Sequence, residues 1–354
     1  MTTCPPPSDT MPLCGSRYFV VPVFIPHAGC PHQCAFCNQN VITRRGQKHF
    51  SIQEIESSIE QFLQYRQPHH AAAEISFYGG NFLGLDTETI QQLLLTAQEF
   101  IKHNRAQSIR FSTRPDTVTA SKLNQLKPFN IRTIEIGIQS LDDRVLRHAM
   151  RGHTANDTLK AIHLLKQYEY TIGAQIMIGL PYQDAASTLD TARQVAALRP
   201  DFVRIYPTVV LKGSQLETWF RNGEYEPLSL EAAVDLTKKI YAAFHQRQIP
   251  VIRMGLQASE ELHLDKALVA GPYHPAFGHL VHSELFFDKV AAELDNKSRP
   301  FSDLTIFVHP DSIPKMRGLK NSNIERLKTD FRVQSVNVLG DDAVDEDAVK
   351  VSVK

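Results

Sequence analysis

Three cysteines stand close together in the stretch Phe24 to Asn40, FIPHAGCPHQCAFCNQN. Cys30, Cys34 and Cys37 follow the spacing C-x3-C-x2-C, with the aromatic Phe36 just before the last of them. Clustered thiolates select soft metals. A fully protein-ligated iron–sulfur cube takes four cysteines. Three leave one iron without a protein ligand, and that position is open to chemistry. Zinc is the rival occupant, with Cys34 and Cys37 joined by His27 or His32 in a tetrahedral site. Cys4 and Cys14 lie in a Pro-rich leader and read as incidental thiols. The odd total of five cysteines argues against a disulfide framework and for a reducing cytoplasm.

Further groups of chemically able residues follow downstream. Tyr78-Gly79-Gly80-Asn81-Phe82 carries a glycine pair where the backbone must turn sharply or approach a ligand. Asn81 adds an uncharged carbonyl acceptor. Ser112-Thr113-Arg114-Pro115-Asp116 brings hydroxyls, a guanidinium and a carboxylate together, and Pro115 holds Arg114 extended. An Arg114–Asp116 pair that merely shapes the loop is the plain alternative. In Glu135-Ile136-Gly137-Ile138-Gln139, alternation puts Glu135, Gly137 and Gln139 on one strand face, where buried polar groups need partners. Arg151 can neutralise a cofactor carboxylate or stand in solvent. Gly179 allows close approach at a strand–turn. Arg44, Arg45, Lys48 and His49 could meet a phosphate or carboxylate, or form a solvated basic loop, and Arg253 points to the same rim. Gly271-Pro272-Tyr273-His274-Pro275 reads as a rigid turn that lids a cavity or joins two helices.

The elements that must position these residues alternate along the chain. Strands are expected at Tyr18–Pro26, Ala73–Tyr78, Ser108–Thr113, Thr133–Gln139, Thr171–Leu180, Asp201–Pro207 and Pro250–Met254. Between them, helices are expected from Ser51, around Ile90–Ile101, and over Val118–Leu126, Asp142–Ala149, Thr154–Tyr168, Ala185–Leu198 and Leu230–Gln246. Ser51 with Glu54 forms a capping box. Repeated β–α units mean a parallel sheet with crossover helices. The strands read as near-continuous apolar runs, which suits a sheet buried on both faces. A complete eightfold barrel needs about 250 residues. The expectation is therefore α/β: a partial, (β/α)6-type open barrel over 18–255, behind an irregular leader (1–17). A doubly wound sheet is the alternative. In both, the loaded stretches fall at the C-terminal rim of the sheet. Residues 256–354 read as a small α+β appendage, with helices at Glu284–Leu294 and Asn323–Phe331 and strands at Leu304–Val308 and Val333–Leu339. The acidic end GDDAVDEDAVKVSVK reads as frayed.

Composition narrows the class. Lys plus Arg (38) balances Asp plus Glu (38), so global charge does not point to nucleic acid. The chain is 42% hydrophobic and 21% charged, ordinary for a globular protein. No window approaches eighteen consecutive apolar residues, so no membrane span is expected, and the start lacks the pattern of a signal peptide.

The cysteine spacing with Phe36 before the last cysteine resembles the signature of the radical S-adenosylmethionine superfamily. Tyr78-Gly79-Gly80-Asn81 resembles that superfamily's GGE motif, with Asn81 in place of the acid. Gly173 to Pro181 resembles its GxIxGxxP-like segment. TRPD, GIQS–DD–VL, RGHT and the run from Arg204-Ile205-Tyr206-Pro207-Thr208 to Gly223-Glu224-Tyr225 are similar to the radical domain of the Elongator subunit 3 class, which acts on the wobble uridine of tRNA. The acetyltransferase domain expected there is replaced by GPYHPAFG and a short α+β piece, so the substrate, small molecule or tRNA, stays open.

The resemblance implies a [4Fe–4S] cluster held by Cys30, Cys34 and Cys37, with S-adenosylmethionine chelating the fourth iron. It implies Phe36 backbone contacts to the adenine, and Gly79 and Gly80 binding the methionyl amino group beside Asn81. Thr113, Arg114, Glu135, Gln139, Arg151 and Gly179 would complete the cofactor site. An electron from a donor such as flavodoxin or ferredoxin would cleave the cofactor, and the 5′-deoxyadenosyl radical would take a hydrogen atom from substrate. A different class of function is a tRNA-binding module that keeps the cluster for structure.

Overall fold

The computed structural model describes residues 18–25, 29–38, 51–67, 72–257, 267–297 and 301–354. The leader with Cys4 and Cys14, His27, and the basic run Arg44, Arg45, Lys48 and His49 lie outside the described residues. The chain divides into two compact units. One comprises Met1–Gln33, Gln39–Ile138 and Gly152–Ala174; the other comprises Cys34–Asn38, Gln139–Arg151 and Gln175–Lys354.

The β–α alternation is present: β1 (Phe19–Phe24), α1 (Ile52–Leu63), β2 (Ala73–Tyr78), α2 (Thr87–Lys102), β3 (Ser108–Thr113), α3 (Ala120–Leu126), β4 (Ile131–Gln139), α4 (Asp143–His148), α5 (Ala155–Gln167), β5 (Thr171–Ile178), α6 (Ala185–Ala197), β6 (Phe202–Pro207), β7 (Val210–Leu211), α7 (Gln215–Arg221), α8 (Leu230–His245) and β8 (Val251–Met254). Strand order in the seven-stranded sheet is β1-β2-β3-β4-β5-β6-β8. The pairs β1–β2, β2–β3, β3–β4 and β6–β8 are parallel. Helices α1 to α8 each start on a side-chain cap. Ser51 and Glu54 form the anticipated capping box on α1, and Thr154 with Asp157 forms another on α5. Each satisfies backbone N–H groups that the first helical turn leaves without partners.

The strands differ from the apolar runs expected. In β2, Ile75 and Phe77 alternate with Glu74, Ser76 and Tyr78; in β3, Ile109 and Phe111 alternate with Ser108, Arg110 and Ser112. The apolar set is fully buried, and of the polar set Glu74, Ser76 and Ser108 are buried and the rest half-buried. Both faces are therefore largely covered, but by different chemistry. Much of the polar face pairs within itself. Arg110 Nε lies 2.7 Å from Glu74 Oε2 and its Nη1 lies 3.3 Å from Glu135 Oε1. Ser108 and Thr133 hydroxyls donate to Glu74 Oε1, each at 3.2 Å. Buried charges persist only with this kind of pairing.

Beyond β8 come β9 (Leu268–Ala270), α9 (Phe277–Asp295), β10 (Asp303–Val308), α10 (Ile313–Arg317), α11 (Ser322–Phe331), β11 (Ser335–Gly340) and β12 (Lys350–Val353). The short strands β7 and β9 pair antiparallel. In the three-stranded sheet, β10 lies between β11, parallel, and β12, antiparallel. The end of the chain is thus not frayed. Val351 faces Ile306 and is 8% exposed, within a core that includes Phe286, Leu304, Met316 and Leu327. Burying such a valine contributes about 1.5 kcal/mol or more. The alternation K-V-S-V outweighs the acidic composition of the residues before it.

Candidate active site

In the first unit, polar residues gather where β1, β2 and β3 end. Gly79 has φ +94°, and a Cβ there would lie 3.4 Å from the carbonyl oxygen of Ile25. A side chain is strained at that φ, so the position keeps the backbone bare. Gly80 lines a small open cleft together with Ile25, Tyr78, Asn81, Leu85 and Ser112. Asn81 is fully buried, and its amide is taken up by protein groups. Oδ1 accepts from the Thr113 hydroxyl at 2.7 Å, the Thr117 hydroxyl at 2.9 Å and the Arg114 backbone N–H at 3.0 Å. Nδ2 donates to the carbonyl of Gly29 at 2.8 Å. One side chain therefore ties the cysteine loop to the ends of β2 and β3. The fit around it is tight: a Cβ on Gly29 would meet Asn81 O at 2.3 Å, and one on Gly84 would meet Gly29 O at 2.0 Å.

Thr113 also accepts from Leu83 N–H at 3.2 Å. Arg114, 3% exposed, forms two parallel bonds with Asp116, Nε to Oδ1 at 2.9 Å and Nη2 to Oδ2 at 3.0 Å. That is the loop-shaping pair. Glu135 accepts from Arg110 and, at 3.5 Å, from the Tyr78 hydroxyl. Cys30 is exposed. His32 packs on Gly152, whose φ is +67° and whose added Cβ would lie 2.2 Å from the imidazole.

In the second unit, Cys34 is buried and Cys37 half-buried. Main-chain bonds hold this half of the loop. Cys37 N–H donates to Cys34 O at 3.0 Å, Ala35 N–H to Ala149 O at 3.0 Å, and Leu216 N–H to Ala35 O at 2.9 Å. Asn38 Nδ2 donates to Lys212 O at 2.6 Å. Phe36 packs against Val210 and Leu216 on one side and Val145, Ala149 and Leu180 on the other. Arg151 Nη1 donates to Cys34 Sγ at 3.2 Å, and its guanidinium lies 5.9 Å from the Phe36 ring centroid.

Gln139 closes β4 in the left-handed region, φ +65°. It is 8% exposed, and its Oε1 has no hydrogen-bond partner among the described residues. A strained, buried, unpaired acceptor at a sheet end is what a polar ligand would satisfy. Gly179, φ +73°, faces the Leu228 side chain at 3.1 Å from a would-be Cβ. Its carbonyl accepts from the Tyr225 hydroxyl at 2.6 Å, and burial pushes the Tyr225 phenol up. Sequence reading passed over Thr117, Gly29, Gly84 and the hydroxyl of Tyr225. No local pattern marks them, because their partners lie far away along the chain.

Two family models match. The radical SAM superfamily model covers residues 24–195, and the radical SAM C-terminal domain model covers 200–286. The chain belongs to the radical S-adenosylmethionine superfamily of enzymes. It is 29% identical over 156 residues to a tRNA uridine(34) acetyltransferase of Methanocaldococcus jannaschii, covering 43% of this chain and 28% of that protein. It is 26% identical over 261 residues to Elongator complex protein 3 of Danio rerio, covering 61% and 47%. The chain thus spans less than half the length of these two relatives. A solved structure, the archaeal Methanocaldococcus infernus Elp3 with an N-terminal deletion, superposes with TM-score 0.58 at 21% identity, over 76% of this chain and 63% of that one. That likeness fixes the fold as the α/β partial barrel expected from the sequence. No helix among the described residues is long and apolar enough to cross a membrane.

Proposed function

We propose that this chain is a radical S-adenosylmethionine enzyme in which Cys30, Cys34 and Cys37 hold a [4Fe–4S] cluster. The observation that carries the reading is a loop of three cysteines spaced C-x3-C-x2-C after β1, in a chain that matches the superfamily model. The donor set fits the group, being all-sulfur and one short of full ligation. The cluster with S-adenosylmethionine supplies one-electron cleavage of the sulfonium C–S bond, and so a primary radical for hydrogen abstraction.

The chain's own residues bind, orient and shield. Gly79 and Gly80 offer bare backbone to the methionyl end, Gly80 at the edge of the small cleft it lines. The Phe36 backbone and Gly179 flank the adenine. Gln139 supplies its unpaired carbonyl oxygen to a cofactor donor. Asn81 and Thr113 keep the loops in register through the bonds described. Arg114 and Glu135 act with Asp116 and Arg110 as the fixed polar wall, and Arg151 stands at Cys34. Residues 18–255 form the radical-generating part and 256–354 an extension. The setting is cytoplasmic, with a flavodoxin- or ferredoxin-like electron donor.

Anaerobic reconstitution with iron and sulfide, then dithionite reduction with S-adenosylmethionine, tests the reading. The expected product is 5′-deoxyadenosine, absent in Cys34→Ala. No product from a brown, four-iron protein overturns it, and a colourless preparation loaded with zinc favours the zinc reading.

A second reading concerns substrate. The similarity to a tRNA uridine(34) acetyltransferase favours tRNA. Filter binding of bulk tRNA with a steep salt dependence supports it. Binding that is absent at low salt removes it.

A further inference from the structure

We infer that Arg151 raises the reduction potential of the cluster through Cys34. The inference rests on the reading that Cys30, Cys34 and Cys37 carry that cluster. Arg151 is 6% exposed and Cys34 7%, and the guanidinium Nη1 stands 3.2 Å from Sγ. A guanidinium stays protonated throughout the accessible pH range. A cation this close to a ligand sulfur, away from water, interacts far more strongly than it would at the surface.

The placement is fixed by the backbone rather than by a free rotamer. Arg151 leaves α4 through Met150, which adopts φ +55°. Its own N–H donates to Leu146 O at 3.0 Å. The adjoining Ala149 carbonyl accepts from Ala35 N–H, the residue next to Cys34. The same turn therefore grips the cysteine loop twice, by main chain at Ala35 and by side chain at Cys34. Phe36 closes over the guanidinium on a third side and packs on Val145 and Leu180.

Reduction adds one negative charge to a cluster whose thiolate ligands are already anionic. A fixed cation and an N–H donor beside one thiolate both favour the reduced state, since net charge and hydrogen bonds to sulfur set cluster potentials. Arg151 is thus a positioning residue. It touches a ligand sulfur and not the reacting atoms, and its effect is to make the cluster easier to reduce by a given donor.

The test is an EPR-monitored redox titration of the reconstituted full chain, without substrate, comparing wild type, Arg151→Gln and Arg151→Lys at equal iron content. In Arg151→Gln the ratio of reduced to oxidised cluster at a fixed potential should fall at least tenfold, a downward shift in midpoint of about 59 mV or more for one electron. Arg151→Lys, which keeps the charge but not the planar fork, should recover part of that loss. Midpoints of both variants equal to wild type overturn the inference. If Arg151→Gln does not retain four irons, Arg151→Lys decides: a lowered midpoint supports the inference, and an unchanged one overturns it. A wild-type chain that binds no cluster defeats the proposed function itself, whereas intact clusters with unmoved potentials defeat only this inference.

Discussion

Replacing Asn81 by alanine should be one of the most damaging single changes in the first unit. The substitution removes four hydrogen bonds at once: three into Oδ1, from Thr113, Thr117 and the Arg114 backbone, and one from Nδ2 to Gly29 O. The two threonine hydroxyls have other partners, Thr113 with Leu83 N–H and Thr117 with Arg114 O. The two backbone groups, Gly29 C=O and Arg114 N–H, lose this partner where Arg114 is buried and Gly29 half-buried. Each such loss costs about 1–3 kcal/mol, so the total comes to roughly 4 kcal/mol. That lowers the melting temperature by about 8–16 °C for a unit of this size. Guanidinium unfolding followed by far-UV circular dichroism measures it. Thr117→Val, which removes one of the three donors to Oδ1, serves as a scale and should cost about 1 kcal/mol. Asn81→Asp keeps the acceptor oxygen but turns the donor facing Gly29 O into a second acceptor. Two acceptors then face each other, so this variant should also be less stable than wild type at neutral pH. An Asn81→Ala chain within about 1 kcal/mol of wild type would refute the argument that this amide is the tie between the three loops.

Other expectations follow from the same geometry. Arg110→Ala leaves Glu74 and Glu135 buried without their cation and should cost about 3–5 kcal/mol in chemical denaturation; a loss below about 1 kcal/mol would show that the pairing is not needed. Gly84→Ala places a methyl group against Gly29 O and the Asn81 amide, so it should lower the midpoint of unfolding although Gly84 has no unusual φ; an unchanged midpoint contradicts the close approach. Burial, then the Lys315 ammonium, holds His282 below the ordinary histidine value, and burial does the same for His279. Their neutral forms are favoured in the folded state, so this stability is full above about pH 6.5 and is lost as pH falls. His282→Gln should flatten the decline in urea midpoint on the acid side of that value, and an unaltered slope counts against it.

Much of the fold was legible because its signals are local. The caps at Ser51 and Thr154, the helical periodicity and the order of strand and helix all lie within short windows. The cysteine spacing is local too. What stayed hidden needs distant partners. Asn81 read as a departure from a cofactor motif, since nothing near it announces that Gly29, Thr113, Arg114 and Thr117 converge on its amide. Arg151 read as a counter-charge for a ligand, because its neighbour Cys34 is 117 positions away. The polar faces of β2 and β3 were obscured because Glu74, Arg110 and Glu135 pair with one another across strands. The last strand was masked by acidic composition, although its alternation was there to be seen.

The main-chain grip on the cysteine loop has a consequence for the order of folding. Ala35 is held by Ala149 and Leu216, and Asn38 reaches Lys212, 174 residues on. Contacts of such separation close late, because the entropy of a long loop is lost before any contact returns it. While a chain is growing, Cys34 and Cys37 are synthesised long before the segments that shape them. The nascent thiols therefore pass through a long interval without their final geometry. Metal delivered in that interval meets a flexible dithiol, and only the finished chain presents the arrangement set by Ala149, Lys212 and Leu216.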